Sequence, residues 1–466
     1  MLSEIEKIHQ SKVVILGAGE SGVGAAKLAK HKNYLPFLSE GGQIKKPFRK
    51  VLLQQQIPFE ENSHEQAKAQ NPDLVIKSPG IPPHADIVRF FHDKGIPIIS
   101  EIEFAAKFTK AQIVGVTGTN GKTTTASLIY HLLKDAGKKV DLCGNIGKSF
   151  AATLIDEPPK DFYVIELSSF QLENIEAFNP NIAVMLNITP DHLDRYEDSM
   201  EGYIKAKFRL IENQTERDFF VFNEDDPNIL KAIKNLNIKS KKLPFSRINK
   251  ALAEGAFLDN KLINIRLSQN AEDIQIEESK LRLRGQHNQY NTMAASMVSS
   301  VLEIKDEQLR QSLSTFKNVA HRIEEVDEIN NISFINDSKG TNVNATWYAI
   351  ESMDRKVIWI AGGVDKGNDY SLLQELVSEK VVGLVSLGKD NTALEKAFEN
   401  TIPTISKTQN MEDAVRKAYD IARELGAPAQ VLLSPACASF DLFQNYEARG
   451  DAFKAAVLKL KQSIIK

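Results

Sequence analysis

Short apolar runs rich in β-branched residues alternate along this chain with stretches of helical period. KVVIL (12–16) precedes a helical stretch near 22–31, and YLPFL, DLVIKS with its own following helix, and IPIIS continue the series. Strands that alternate with helices predict a parallel sheet with crossover helices, here closing near residue 105. A second series runs through QIVGVTG, VDLCGN, DFYVIELSS, IAVMLNIT and RDFFVFN, then enters a patch around 252–284 where LDNKL predicts antiparallel hairpins. A third contains ISFIND, VIWIAGG, VVGLVSLG and QVLLSPA, again with helical segments between. The pattern predicts three α/β domains, 1–105, 106–316 and 317–466, with ligands in the crevices at the carboxyl ends of the strands and between domains.

Length agrees, since 466 residues at about 150 per domain suggest three units. The 58 basic residues nearly balance the 61 acidic ones, so no global field recruits nucleic acid or an anionic membrane. The start MLSEIEKIHQ has no apolar stretch behind a basic end, and no apolar run reaches bilayer length. The expectation is a cytoplasmic protein with no nucleic-acid partner and no membrane insertion. Cys143 and Cys437 lack any CxxC partner and are expected to be buried thiols, not a disulfide or a zinc site.

Residues 116–125, VTGTNGKTTT, form a strand end, a tight glycine turn and a helix start. Compared with the full phosphate-loop pattern the turn is shortened, because Val116 stands where the first glycine belongs. The physics of anion binding survives: backbone N–H groups and a helix N-terminus favour phosphate, Lys122 reaches the β and γ phosphates, and the Thr123 hydroxyl suits Mg²⁺. FYVIELSS then offers Glu166 at a strand end as the metal-holding acid. NITPDHLDRY follows with Asp191, His192, Asp194 and Arg195, of which Asp191 and His192 are candidates for a second metal or for proton transfer. Further upstream, Gly17, Gly19 and Gly22 spell GxGxxG directly after KVVIL, and Glu40 ends the second run. Taken alone this is a dinucleotide fingerprint and supports a nicotinamide-dependent oxidoreductase, but the same helix start holds any diphosphate.

In combination, GTNGKTT, ELSSFQLE, DHLDRY, GQHNQYN and INDSKGTN resemble the Mur ligases, the ATP-dependent amide-forming enzymes of peptidoglycan precursor assembly, from about Lys12 to about Lys454. The GxGxxG domain, SPGI (78–81), NDSKGTN (336–342) and SPACASFD (434–441) resemble the members that add D-glutamate to UDP-N-acetylmuramoyl-L-alanine. The resemblance implies a Rossmann-like N-terminal domain that binds UDP, a P-loop-type central ATPase domain with a parallel sheet plus a small antiparallel one, and a Rossmann-like C-terminal domain that binds the amino acid. It also implies that ATP phosphorylates the substrate carboxylate and that the amine of D-glutamate displaces phosphate from the acyl phosphate.

Carried over by position, the resemblance assigns ATP to Gly118, Thr119, Asn120, Gly121, Lys122, Thr123 and Thr124, with His287, Asn288, Asn291, Arg322 and Asp337 around the nucleotide. Two Mg²⁺ sites are implied at Thr123, Glu166, His192 and Lys207, the last as a carbamate. Lys122, His192, Lys207 and Lys339 are the implied catalytic residues. UDP-N-acetylmuramoyl-L-alanine is assigned to Gly17, Gly19, Ser21, Gly22, Ser39, Ser78, Pro79, Gly80, Asn145, Ser168 and Gln171, with Ser39 and Glu40 both open for the uracil-facing role. D-glutamate is assigned to Thr341, Lys366, Ser439 and Tyr446. The expected state is a monomer. The rivals are another Mur-type or a folylpolyglutamate-type ligase, an ATP-driven switch and the oxidoreductase.

Overall fold

Four consecutive buried apolar residues make β1 (Lys12–Leu16) a central strand, covered on both faces. The computed structural model describes residues 11–268, 272–283, 285–316, 319–365 and 367–464. With β2 (Leu35–Glu40), β3 (Phe59–Glu61), β4 (Leu74–Lys77) and β5 (Ile98–Ser100), β1 forms a parallel sheet in the order β3-β2-β1-β4-β5. The chain goes from β1 to one side and returns to the other, so the carboxyl ends of β1 and β4 flank the switch point at which such sheets hold ligands. The helix Glu20–His31 begins beside it.

The second sheet has nine strands: β6 (Gln112–Thr117), β7 (Val140–Gly144), β8 (Phe162–Glu166), β9 (Ile182–Met185), β10 (Phe219–Asn223), β11 (Lys241–Ser246), β12 (Gly255–Asp259), β13 (Leu262–Arg266) and β14 (Ile274–Glu277). Their order is β14-β13-β12-β11-β10-β9-β6-β8-β7. β6 again lies inside, with β8 on one side and β9 on the other. The hairpins expected around 252–284 are β12 to β14. They extend the parallel sheet instead of standing apart from it, because β12 pairs with β11 in parallel before the chain turns antiparallel.

The third sheet comprises β15 (Glu324–Ile329), β16 (Ile332–Asn336), β17 (Lys356–Ala361), β18 (Val381–Leu387), β19 (Ile405–Thr408) and β20 (Ala429–Leu433), ordered β15-β16-β20-β17-β18-β19. Only the edge pair β15 and β16 is antiparallel. The chain divides into two compact units: the first two sheets share one with residues 290–314, and the third sheet lies in the other with residues 281–289. Among the described residues no helix is long and apolar enough to cross a membrane.

Within the first unit one apolar cluster runs from Val13 and Ile15 to Phe150, Tyr163 and Ile165, so the first two sheets are cemented together. Small residues make this closeness feasible. The helix Glu20–His31 buries Gly22, Gly24, Ala25 and Ala26, and a Cβ on Gly24 would come within 2.1 Å of Ser149 Oγ at the start of the helix Phe150–Asp156. Glu103 adds a polar seam, since its Oε2 accepts from the backbone N–H groups of Glu176, Ala177 and Phe178 at 2.9, 3.0 and 2.7 Å. Gly24→Val is expected to cost about 1–3 kcal/mol by overpacking this contact. Urea denaturation checks it against Gly19→Ala, a position with no atom within 4 Å of the added Cβ, which should leave the midpoint nearly unchanged.

Candidate active site

The turn after β6 is a cradle for an anion. Gly121 adopts φ +85° as the N-cap of the helix Lys122–Asp135, a conformation open to glycine, and the helix N-terminus faces the turn. The turn is braced from β9, because Thr119 N donates to Asn187 O and Asn120 N to Asn187 Oδ1, both at 2.8 Å. Thr119 Oγ1 donates to Thr189 O at 3.1 Å and lies 3.2 Å from Tyr203 Oη. Asn120 Nδ2 is buried with no hydrogen-bond partner among the described residues, a donor suited to a ligand oxygen.

Two lysine side chains converge on one carbonyl. Lys122 Nζ donates to Gly118 O at 2.9 Å and Thr119 O at 2.7 Å, and Lys207 Nζ donates to the same Gly118 O at 2.8 Å. Lys207 is buried, and that burial, reinforced by Lys122 and opposed by Asp191, pushes its pKa well below the ordinary lysine value. Beside them Glu166, at the end of β8, is met by two donors: Thr123 Oγ1 to Oε2 at 2.8 Å and Asn145 Nδ2 to Oε1 at 3.0 Å. Thr124 is buried in the first helical turn. His192 and Asp191 lie on the loop after β9, with 3.6 Å between His192 Nε2 and the Asp191 carboxylate. Ser168 and Gln171 cap the helix Ser169–Leu172 reciprocally.

At the first sheet's switch point the turn after β1, Gly17 to Gly22, lies next to Ser78-Pro79-Gly80 after β4: Ser78 N donates to Leu16 O at 2.9 Å, and Ser78 Oγ lies 3.5 Å from Gly17 O. Ser21 and Gly22 occupy the first turn of the helix that Gly19 caps. The acid a dinucleotide fold offers to a ribose, Glu40, is turned back on its own loops and accepts from Ala18 N at 2.8 Å and Gly42 N at 3.0 Å. Ser39 is fully buried, with Oγ 2.8 Å from Glu60 Oε1 and 2.7 Å from His64 Nδ1.

In the second unit the loops after β16, β17 and β20 gather. Asp337 N donates to Leu433 O at 2.7 Å, Ser434 Oγ to Asp337 Oδ2 at 2.8 Å, and Val364 N to Ala438 O at 2.8 Å. Burial raises the Asp337 pKa to about 6 against the pull of Arg322, whose buried Nε has no partner among the described residues. Thr341 and buried Ser439 stand on these loops, and Lys339 Nζ lies 5.4 Å over the ring of Tyr446, which opens the helix Tyr446–Ile464. Lys366 lies outside the described residues. His287 stacks on Tyr348 with 4.2 Å between ring centroids, and burial with Arg322 beside it lowers its pKa to about 3. Asn288 lies buried on the same helix, Gln286–Val301, and Asn291 Oδ1 accepts from Thr125 Oγ1 at 3.1 Å within the first unit.

Several residues that shape these loops carry no local signal. Arg449 is 2% exposed and braces two of them, Nε donating to Ser338 Oγ at 3.0 Å, Nη2 to Ser338 O at 2.9 Å and Nη1 to Cys437 O at 3.2 Å. All three acceptors are neutral oxygens, and burial lowers the guanidinium pKa to about 10. Tyr203 and Asn187 likewise act on the phosphate turn from a distance in sequence.

A phosphate cradle beside β6, with an acid at the neighbouring strand end and two more α/β sheets around it in sequence, defines a nucleotide-using α/β protein. The comparisons with known proteins carry this to the family. Residues 12–87 match a model described as the MurD N-terminal domain, 116–299 the Mur ligase middle domain, and 321–437 the Mur ligase, glutamate ligase domain. A UDP-N-acetylmuramoylalanine--D-glutamate ligase of Christiangramia forsetii is 49% identical over 96% of this chain and 99% of its own, and one of Bacteroides fragilis is 47% identical over 96% and 100%. Among solved structures, a pseudomurein peptide ligase type C from Methanothermus fervidus aligns with a TM-score of 0.60 at 18% identity over 97% of this chain and all of that one. UDP-N-acetylmuramate-alanine ligase MurC from Thermotoga maritima aligns with 0.59 at 17% identity over the same shares, which shows the fold. The chain belongs to the Mur ligase family.

The brace at Arg449 is testable apart from any substrate. Arg449→Lys keeps the charge and loses the three-way fork, and it should cost about 1.5–3 kcal/mol in urea denaturation. An unchanged midpoint would show that the brace is idle.

Proposed function

We infer that this chain is an ATP-dependent amide ligase that adds D-glutamate to UDP-N-acetylmuramoyl-L-alanine in peptidoglycan precursor synthesis, releasing ADP and phosphate. The observation that carries the reading is the pair of lysine amino groups, Lys122 and Lys207, on the Gly118 carbonyl beside the Thr123–Glu166–Asn145 chain. A carboxylate resists attack by an amine because its oxygen is a poor leaving group. Phosphorylation cures that, but it requires two anions, the carboxylate and the triphosphate, to meet. Cations and N–H donors fixed in advance supply the stabilisation without reorganising during the reaction.

In this reading the turn Gly118–Thr124 holds the ATP phosphates, and Lys122 steadies the γ-phosphoryl group as it moves to the carboxylate. Thr123 and Glu166 fit one Mg²⁺, and His192 with Lys207 fit a second; a hydroxyl, a carboxylate and a carbamate are oxygen donors of the kind a hard cation takes. When bound, Mg²⁺ neutralises phosphate oxygens during transfer. Among the described residues no three His, Cys, Asp or Glu side chains cluster for a metal, so a carbamate on Lys207 would supply needed negative charge. The lowered pKa of Lys207 favours it, since the neutral amine is the form that adds CO₂.

Gly17, Gly19, Ser21, Gly22, Ser39 and Ser78–Gly80 take the uridine diphosphate, with Ser39 or Glu40 facing the uracil, and Asn145, Ser168 and Gln171 take the muramoyl end. His287, Asn288, Asn291, Arg322 and Asp337 serve the nucleotide. Thr341, Lys366, Ser439 and Tyr446 serve the D-glutamate carboxylates, for which a lysine and hydroxyls are the fitting partners, and Lys339 joins Lys122, His192 and Lys207 as a catalytic residue. The domains run 1–105, 106–316 and 317–466, and the enzyme works as a cytoplasmic monomer.

The direct test offers the protein ATP, Mg²⁺ and UDP-N-acetylmuramoyl-L-alanine with D-glutamate, L-glutamate, L-alanine or a diamino acid in parallel, and weighs the products. Amide should form with D-glutamate, with one phosphate released per bond; no product with D-glutamate would overturn the reading. Lys122→Ala should lower turnover by about 100-fold or more. Carbon-13 bicarbonate should give a carbamate carbonyl resonance that vanishes in Lys207→Arg, and its absence from the active wild-type enzyme would remove the carbamate.

A further inference from the structure

Three charged side chains are buried together where the first two sheets meet, and the chemistry above uses none of them. Lys77, the last residue of β4, has a side chain 1% exposed; its Nζ donates to Ile81 O at 2.9 Å and lies 3.7 Å from the Glu173 carboxylate. Burial lowers its pKa to about 8, offset by Glu173. Glu173 follows the helix Ser169–Leu172 and receives Arg195 Nε at 3.1 Å and Nη2 at 2.7 Å. The same Nη2 donates to Pro79 O at 3.0 Å and Ile81 O at 3.1 Å. The guanidinium lies 4.5 Å over the Phe170 ring, and that ring meets the His192 imidazole edge-to-face at 5.2 Å.

Apart from the Lys77–Ile81 bond within the turn after β4, these contacts tie one loop of the site to another. The turn after β4 comes from the first sheet; Phe170 and Glu173 come from the segment after β8, and His192 and Arg195 from the loop after β9. Buried ion clusters seldom add stability over apolar packing, so geometry is the better reason for this one. Its parts also demand arginine, since a planar fork can hold a carboxylate by two bonds, reach two carbonyls and stack on a ring, and an ammonium cannot.

We propose that Arg195 is a positioning residue that holds the Ser78–Ile81 turn and the Asp191–Arg195 loop in one register, so that the bound UDP-sugar presents its carboxylate to the phosphate turn at a fixed distance. This rests on the reading that Ser78–Gly80 line the diphosphate site. Arg195→Met is the informative variant because it leaves Lys77 and Glu173 as a balanced pair and so should fold; Arg195→Lys, which keeps the charge and loses the fork, carries the same measurements if it does not. Hydrogen exchange should accelerate at backbone amides in both 78–81 and 191–196, with β6 and β8 unchanged. The KM for UDP-N-acetylmuramoyl-L-alanine should rise about tenfold, with the KM for ATP within about twofold of wild type.

Faster exchange confined to 191–196, or an unchanged KM for the UDP-sugar, would overturn the proposal. A wild-type enzyme that makes no amide would instead defeat the functional reading, while the exchange pattern would still decide whether Arg195 couples the two turns.

Discussion

Glu166 is a carboxylate buried at the end of a central strand, and a buried charge must be met by donors or it will not stay charged. Thr123 meets one oxygen and Asn145 the other. This ties the first turn of the phosphate helix and the segment after β7 to the same point. The two lysine side chains on Gly118 O then stand against a framework that is already fixed, and burial beside Lys122 holds the Lys207 pKa well below the ordinary lysine value. A turn that keeps Lys122 and backbone N–H donors at such close range is prepared for anions.

The same logic of buried charge recurs in three other places. Glu103 receives three N–H groups and sets the two sheets of the first unit against each other. Arg195 and Lys77 flank Glu173 between the turn that would carry the diphosphate and the loop that carries His192. In the second unit Arg449 spans the segments that would receive the amino acid. Ligation by acyl phosphate requires the carboxylate to meet first the γ-phosphoryl group and then the amine, each in a fixed geometry, and these braces are rigid elements on which such positioning can rest.

Much of this was legible in the chain because central strands are nearly continuous apolar runs: KVVIL, QIVGVTG and VIWIAGG are β1, β6 and β17. Of the edge strands, β5 and β7 were, within IPIIS and VDLCGN, but three were not. β3 is FEE, β15 is EEVDEI and β19 is ISKT, all short or charged as edges tend to be. β11 escaped because Pro244 argues against a strand; pairing with β12 begins only at Phe245, which leaves the proline without a ladder partner on that side. In the site, the glycine turn, Glu166 and the DHLDRY segment stood out because each is a short local pattern directly after an apolar strand run. Lys77, Glu173 and Arg449 did not, since an ordinary surface charge and a buried brace look alike until distant segments fold over them. The roles of Lys207 and the D-glutamate residues were readable only through resemblance.

The most direct measurement follows oxygen. UDP-N-acetylmuramoyl-L-alanine labelled with oxygen-18 in its terminal carboxylate, turned over with ATP and D-glutamate, should release phosphate carrying one labelled oxygen per amide formed, because that oxygen leaves with the phosphoryl group. Phosphate without label would mean that the carboxylate is never phosphorylated, and the arrangement around Gly118 would need another purpose.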